Sequence, residues 1–273
     1  MITQKSGNYQ VILYAALIFL FFACSGSHAA ESKSISSGSQ ITGRELAQKV
    51  YSRENGDDAV AQMHMILIDE SGKERVREFR AYRKDFVALS RQVLRFTAPP
   101  DIQGTAFLSI EKTGGETEQF LFLPSLRRSR RIVSSQKSHR FVNSDFSYED
   151  MERRPVDSFD HRIAGEEKID SVECLILEST PKNKANSQYS LIKSWIAKDT
   201  DMPLKADHFD EKKELLKTYR VLEVKPFQNI KTETYLVMED AKRRTKTVLT
   251  LVKISYNTGI KDDMFTQTKL ENW

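Results

Sequence analysis

Two periodicities divide the chain. Over residues 43 to 54, Leu46, Ala47, Val50 and Tyr51 recur at helical spacing, which puts them on one face of an α-helix. Thr42 and Glu45 stand in the S/T-x-x-E relation of a capping box, and Gly56 lies just past the expected end. Beyond that helix the period becomes two. "AQMHMILID" sets Met63, Met65 and Leu67 on one face; "GTAFLSI" sets Ala106, Leu108 and Ile110 on one face and Phe107 on the other. "EQFLFLP", "VECLILEST", "YSLIKSWIA", "LLKTYRVLEV", "ETYLVMED" and "TVLTLVKIS" continue the theme, separated by turn chemistry such as "ESGK", "KTGGE", "DTDMP", "FDEKKE" and "EDAKRR". The pattern predicts roughly ten to twelve strands. Hairpin-sized gaps make them an antiparallel meander rather than a parallel sheet alternating with helices.

Several of these strands are apolar on both faces. Ile192 and Ile196 oppose Leu191 and Trp195, and Leu236 and Met238 oppose Tyr235 and Val237. Such a strand needs packing partners on each side, and one helix is little cover. A mainly β (α+β) fold resolves the mismatch if its sheet curves strongly around side chains or a hydrophobic cavity. A β-sandwich with a filled core is the alternative.

The N-terminus changes the setting. Lys5, the apolar run Val11 to Ala23 and the small residues after it describe a secretory signal peptide over 1–29. The run is short for a membrane span. A second reading takes "FFAC" as a lipoprotein signal in which Cys24 becomes the lipidated terminus. Residues 30–40 are Ser-rich and read as a flexible lead to one domain over 41–273. If Cys24 leaves with the signal, Cys174 is alone and the mature chain has no disulfide, so its stability rests on an ordinary core. A net charge of +4 with 29% charged residues of mixed sign argues against a dedicated nucleic-acid binder.

Candidate chemistry is sparse. His64, His139, His161 and His208 are scattered, with neither zincin spacing nor a Cys/His cluster, so no metal or cofactor is expected. The stretch "FVNSDFSYED" offers Ser144 with His139 and Asp145 as a nucleophile reading, but the flanking glycines of a nucleophile elbow are missing. A capping account is simpler. Ser147, Tyr148, Glu149 and Asp150 fit an N-cap serine with an acid at the third helical position, with Arg153 and Arg154 at the far end and Pro155 as the stop. On this reading Ser144, Asp145 and Phe146 are structural too. Arg127, Arg128, Arg130 and Arg131 read either as a solvated strand face or as contacts for a partner or anionic headgroups.

Together "RFTAPPDIQGTAFL" (95–108), "FLFLPSLRRSRRI" (120–132), "FVNSDFSYEDM" (141–151) and "GIKDDMFTQTKLE" (259–271) resemble the LolA-like outer-membrane lipoprotein-sorting proteins, in their broad periplasmic branch. Phe120 and Phe122 depart from the usual Trp and Tyr, and Asn143 stands where glycine is common. The resemblance implies a periplasmic, non-enzymatic, monomeric carrier: an unclosed antiparallel β-barrel, covered by a few helices, that holds lipid or lipoprotein acyl chains. It also implies an association with resistance-nodulation-division (RND) type exporters at the inner membrane and an acceptor at the outer one. An accessory subunit of such an exporter, carrying no cargo, is the alternative. Expected cavity liners are Met63, Met65 and Leu67, then Leu94, Phe96 and Phe107, then Phe120 and Phe122. Leu175, Leu177, Trp195, Tyr235 and Val237 complete the set. A register error of one residue would turn any of these strands over.

Overall fold

The computed structural model describes residues 41–87 and 89–273. The expected signal peptide, Cys24 lipidation and flexible lead lie outside the described residues. The chain starts with α1 (Gly43–Tyr51), one turn shorter than the periodicity suggests. Its N-terminus carries the expected capping box: Thr42 N–H donates to Glu45 at 2.8 Å, and Glu45 N–H to Thr42 Oγ1 at 3.2 Å.

Six strands follow: β1 (Asp58–Ile68), β2 (Glu74–Phe86), β3 (Leu89–Ala98), β4 (Ala106–Glu111), β5 (Thr117–Leu123) and β6 (Arg128–Ile132). An irregular linker, residues 133–158, leads to seven more. These are β7 (Phe159–Ile169), β8 (Val172–Pro181), β9 (Leu191–Ala197), β10 (Pro203–Phe209), β11 (Leu215–Phe227), β12 (Ile230–Asp240) and β13 (Thr245–Tyr256). A short α2 (Gln267–Glu271) comes last. All thirteen strands form one antiparallel sheet in the order β6-β5-β4-β3-β2-β1-β13-β12-β11-β10-β9-β8-β7. It is two sequential meanders spliced at β1 and β13, with Met65 opposite Leu249. The edges β6 and β7 do not pair, so the barrel is unclosed.

The inner face is filled from the linker. Phe141, Phe146 and Tyr148 pack on Phe79, Leu94, Phe96 and Phe107, with ring centroids 5.0 Å apart for Phe107 and Phe141 and 5.7 Å for Phe141 and Tyr148. A compact turn presents these rings: Phe141 N–H donates to Phe146 O at 2.8 Å, and Tyr148 N–H to His139 O at 3.1 Å. The turn drives Val142 and Asn143 to positive φ, 43° and 62°. Asparagine tolerates that region and glycine meets no penalty there, which accounts for Asn143 at a glycine-favouring position. The Arg77 guanidinium, donating to Val142 O, fastens the turn to β2.

The outer face is polar over much of the sheet, with ion pairs such as Arg162 with Glu178 across β7 and β8 and Lys205 with Asp207 along β10. At β3 to β5 it is apolar instead, and there the C-terminal segment covers it. Phe265 and Leu270 bury Val93, Leu108 and Phe122. The second helix expected after Ser147 shrinks to one 3-10 turn, Glu149–Met151. Past it the backbone is extended at Glu152, and Arg153 and Arg154 turn to partners on other elements.

Candidate functional site: a two-lobed cavity beneath the first helix

The linker and the sheet do not fill the concave side. Two adjoining cavities remain, of about 310 and 360 Å³, both open to solvent. The first lies among β1 to β4, β12 and β13, against Met65, Phe79, Leu94, Tyr219, Leu236 and Leu249. The second lies under α1, against Val50, Leu177, Ile192, Ile196, Ala206 and Met238. Phe146, Asp150, Glu152, Arg153 and Tyr219 line both and form the partition between them.

α1 roofs the second lobe because Gly43 lets it sit directly on β7. A Cβ there would come within 2.6 Å of the backbone carbon and oxygen of His161. At the other end of α1, Arg153 lies 3.9 Å over the Tyr51 ring and donates to Tyr51 O at 2.7 Å. Glu111 and Asp85 are 3.6 and 3.9 Å from the same guanidinium. Burial raises the Glu111 carboxyl above its ordinary value, and the Ser90 amide and Arg153 oppose that rise.

The partition is anchored by buried charge. The Asp150 side chain, 2% exposed, accepts from Lys217 Nζ at 2.9 Å and from Tyr189 Oη at 2.7 Å. Ser147 N–H and Oγ donate to it at 2.7 and 2.8 Å. Burial alone would raise this carboxyl; the Lys217 and Arg154 charges and the Ser147 amide outweigh it and hold the group well below the carboxylate range. His208 is also buried, with Arg154 3.2 Å from its Nε2. Desolvation first, and then the Arg154 charge, hold its imidazole down to about 3. A neutral His208 thus accepts from Arg154, and a charged pair crosses the floor beside it. Sequence reasoning assigned Asp150 to a helix cap and missed Lys217, Tyr189 and His208. Their grouping depends on strand order, which no local pattern reveals.

The expected cavity liners divide. Met65 and Leu94 line the first lobe and Leu177 the second. Met63, Leu67, Phe96 and Phe107 face inward but pack in the filled core around the linker, while Leu175 packs beside α1. Five placements are corrected. Phe120 and Phe122 lie on the outer face under Phe265 and Leu270. Trp195 lies outside as well, with Cys174 and Ile176; its indole donates to Glu167 at 2.9 Å and Lys205 Nζ sits 4.0 Å over the ring. Tyr235 and Val237 alternate with the inward Leu236 and Met238 and so point away. Phe120, Phe122, Trp195 and Val237 are apolar on a face that other side chains cover, and Tyr235 is exposed at 37%, so hydrophobicity alone marked the wrong side.

The catalytic grouping does not assemble. Ser144 is fully buried and donates to Phe146 O at 3.4 Å, whereas His139 is exposed. Asp145 accepts from Thr247 Oγ1 at 2.7 Å and from Thr245, which tie the linker to β13, and from Arg140 within the linker. Glu149 accepts from Ser187 and from Gln188 N–H. Among the described residues no cluster of three or more His, Cys, Asp or Glu is arranged to hold a metal. Arg127, at φ 48°, caps a short turn before the edge strand β6. Arg127, Arg128 and Arg130 are exposed beside Leu126, which is 52% exposed; Arg131 pairs with Glu118 at 3.2 Å.

Comparison with known proteins supplies the family. A family model described as "Uncharacterized protein" matches residues 88–272. No curated protein matches. A DUF1329 family protein from Desulfovibrio piger is 30% identical, with a TM-score of 0.79 over 84% of this chain and 97% of its own. An outer membrane lipoprotein-sorting protein domain from Vibrio parahaemolyticus is also 30% identical, with a TM-score of 0.80 over 84% and 98%. A LolA superfamily protein from Nitrosomonas europaea, 20% identical with a TM-score of 0.67 over 84% and 100%, shares the fold. With the family model spanning most of the chain and 30% identity held over nearly the whole of two relatives, this protein belongs to the LolA-like DUF1329 family.

Proposed function

We propose that this protein is a periplasmic, non-enzymatic carrier that takes lipid or lipoprotein acyl chains into the concave cavity and passes them between inner- and outer-membrane partners. The observation that carries the reading is the pair of largely apolar lobes left beneath α1 by a sheet already plugged by its own linker. Their sizes fall at the lower end of the ~300–1,000 Å³ typical of small-molecule sites. Each methylene moved out of water contributes about 0.8 kcal/mol. Ten of them supply roughly 8 kcal/mol, on the order of micromolar affinity before the entropy of association is subtracted. No cofactor is needed for such binding. The likeness to a lipoprotein-sorting domain supports the same reading.

A second reading, an accessory subunit of an RND-type exporter that carries nothing, draws on the exposed Leu126, Arg127, Arg128 and Arg130 at the open edge. Organic extraction of protein purified from its own envelope, followed by mass spectrometry, separates the two. Carriage is expected to yield co-purified amphiphiles and saturable uptake of a fluorescent fatty acid. Protein that yields none and takes up none refutes it and leaves the subunit reading.

A further inference from the structure

We infer that the cargo has two separate apolar limbs meeting at a polar group, as a two-chain lipid does, rather than one continuous chain; this rests on the carrier reading above. The two lobes meet at the segment Phe146 to Arg153 and share Phe146, Asp150, Glu152 and Arg153 as walls. That partition is pinned. Phe146 is buried in the inner core, and Asp150 is held by Ser147, Tyr189 and Lys217 at 2.7 to 2.9 Å. A chain lying in one lobe therefore meets this held segment at the border with the other. Each lobe is the size of roughly ten to twelve water-sized groups of ~30 Å³, enough for a medium-length acyl chain and too little for two.

The chemistry at the junction fits the same ligand. Glu152 and Arg153 border both lobes. Among the described residues the Arg153 guanidinium donates at short range to Tyr51 O, at 2.7 Å, and its carboxylate neighbours stand off at 3.6 and 3.9 Å. Direct charge-assisted contacts are ~2.7–2.9 Å, so this arginine keeps donors for an ester or phosphate oxygen where the two limbs join.

The test uses the mature protein with dilauroyl phosphatidylethanolamine and its one-chain lyso form, with affinity and stoichiometry read by native mass spectrometry and titration. One two-chain lipid per protein is expected, bound at least about a hundredfold more tightly than the lyso form, since a second limb adds many buried methylenes. Val50→Trp fills the second lobe and Leu249→Trp the first; both positions are only partly buried, and circular dichroism checks that each variant folds. Each is expected to bring two-chain affinity down to near that of the lyso form, while the lyso form still binds in the lobe left open. A wild-type protein that binds both probes equally, or variants that weaken both alike, overturns the two-limb inference with carriage intact. A wild-type protein that binds neither probe overturns carriage itself.

Discussion

His208 shows how one residue couples the cavity floor to pH. Its imidazole is held down to about 3 inside the fold and titrates near 6.5 in an unfolded chain. Between those values the unfolded state binds a proton that the folded state refuses. The residue's contribution is therefore complete above about pH 6.5 and is lost as the pH falls toward 3, at up to about 1.4 kcal/mol per unit. Asp150, depressed by Lys217, follows the carboxylate rule: its contribution is present above the ordinary value near 3.9 and declines only below it. The two effects occupy different windows. Urea midpoints measured from pH 7 to pH 4 are expected to fall more steeply for the wild type than for His208→Gln, and equal slopes would contradict the buried neutral state.

At the scale of elements, α1 stays over the second lobe only while its first residue lacks a side chain. Gly43→Ala places a methyl against the His161 carbonyl, a backbone neighbour that cannot turn aside. Overpacking of this kind costs about 1–3 kcal/mol. Hydrogen exchange is expected to show lost protection in α1 with β13 unchanged. How far an element could be read from sequence follows from how local its causes are. The helix and its cap were legible because Thr42, Glu45, Leu46 and Val50 lie within one another's reach. Strands such as β12 were legible from alternation, and the turns from their glycines and aspartates. β2, "ERVREFRAYRKDF", and β7, "FDHRIAGEEKI", escaped because charge interrupts their alternation on both faces. The inward turn of the linker escaped for another reason: burial of Phe141 and Tyr148 is decided by strands far away in the chain. Trp195 was read inward because its lysine cover comes from neighbouring strands, and Phe122 because α2 comes last.

Over the whole molecule, alternate hairpins of the meander share an end of the barrel. The turns at residues 124–127 and 241–244 lie at one end and carry Arg127, Lys242, Arg243 and Arg244, with Arg128 next to the first. Lys242 and Arg243 are paired with carboxylates, whereas Arg127, Arg128 and Arg130 stand exposed beside Leu126. Near an anionic surface each such arginine contributes on the order of 1 kcal/mol. Alanine at all three is expected to weaken co-sedimentation with anionic vesicles about a hundredfold at low salt. The urea midpoint should stay put, and unchanged sedimentation would remove this edge from membrane contact.

The splice between β1 and β13 carries one more consequence. Each meander can zip up from its own neighbours, but the seam joining them brings together segments nearly the full described length apart, Ala59 beside Tyr256. Pairings so distant are slow to form. Until that ladder closes, each half-sheet has a bare rim, and Met65, Leu236 and Leu249 have no common chamber to enclose. The receptacle therefore depends on the pairing that spans the most sequence in the described sheet.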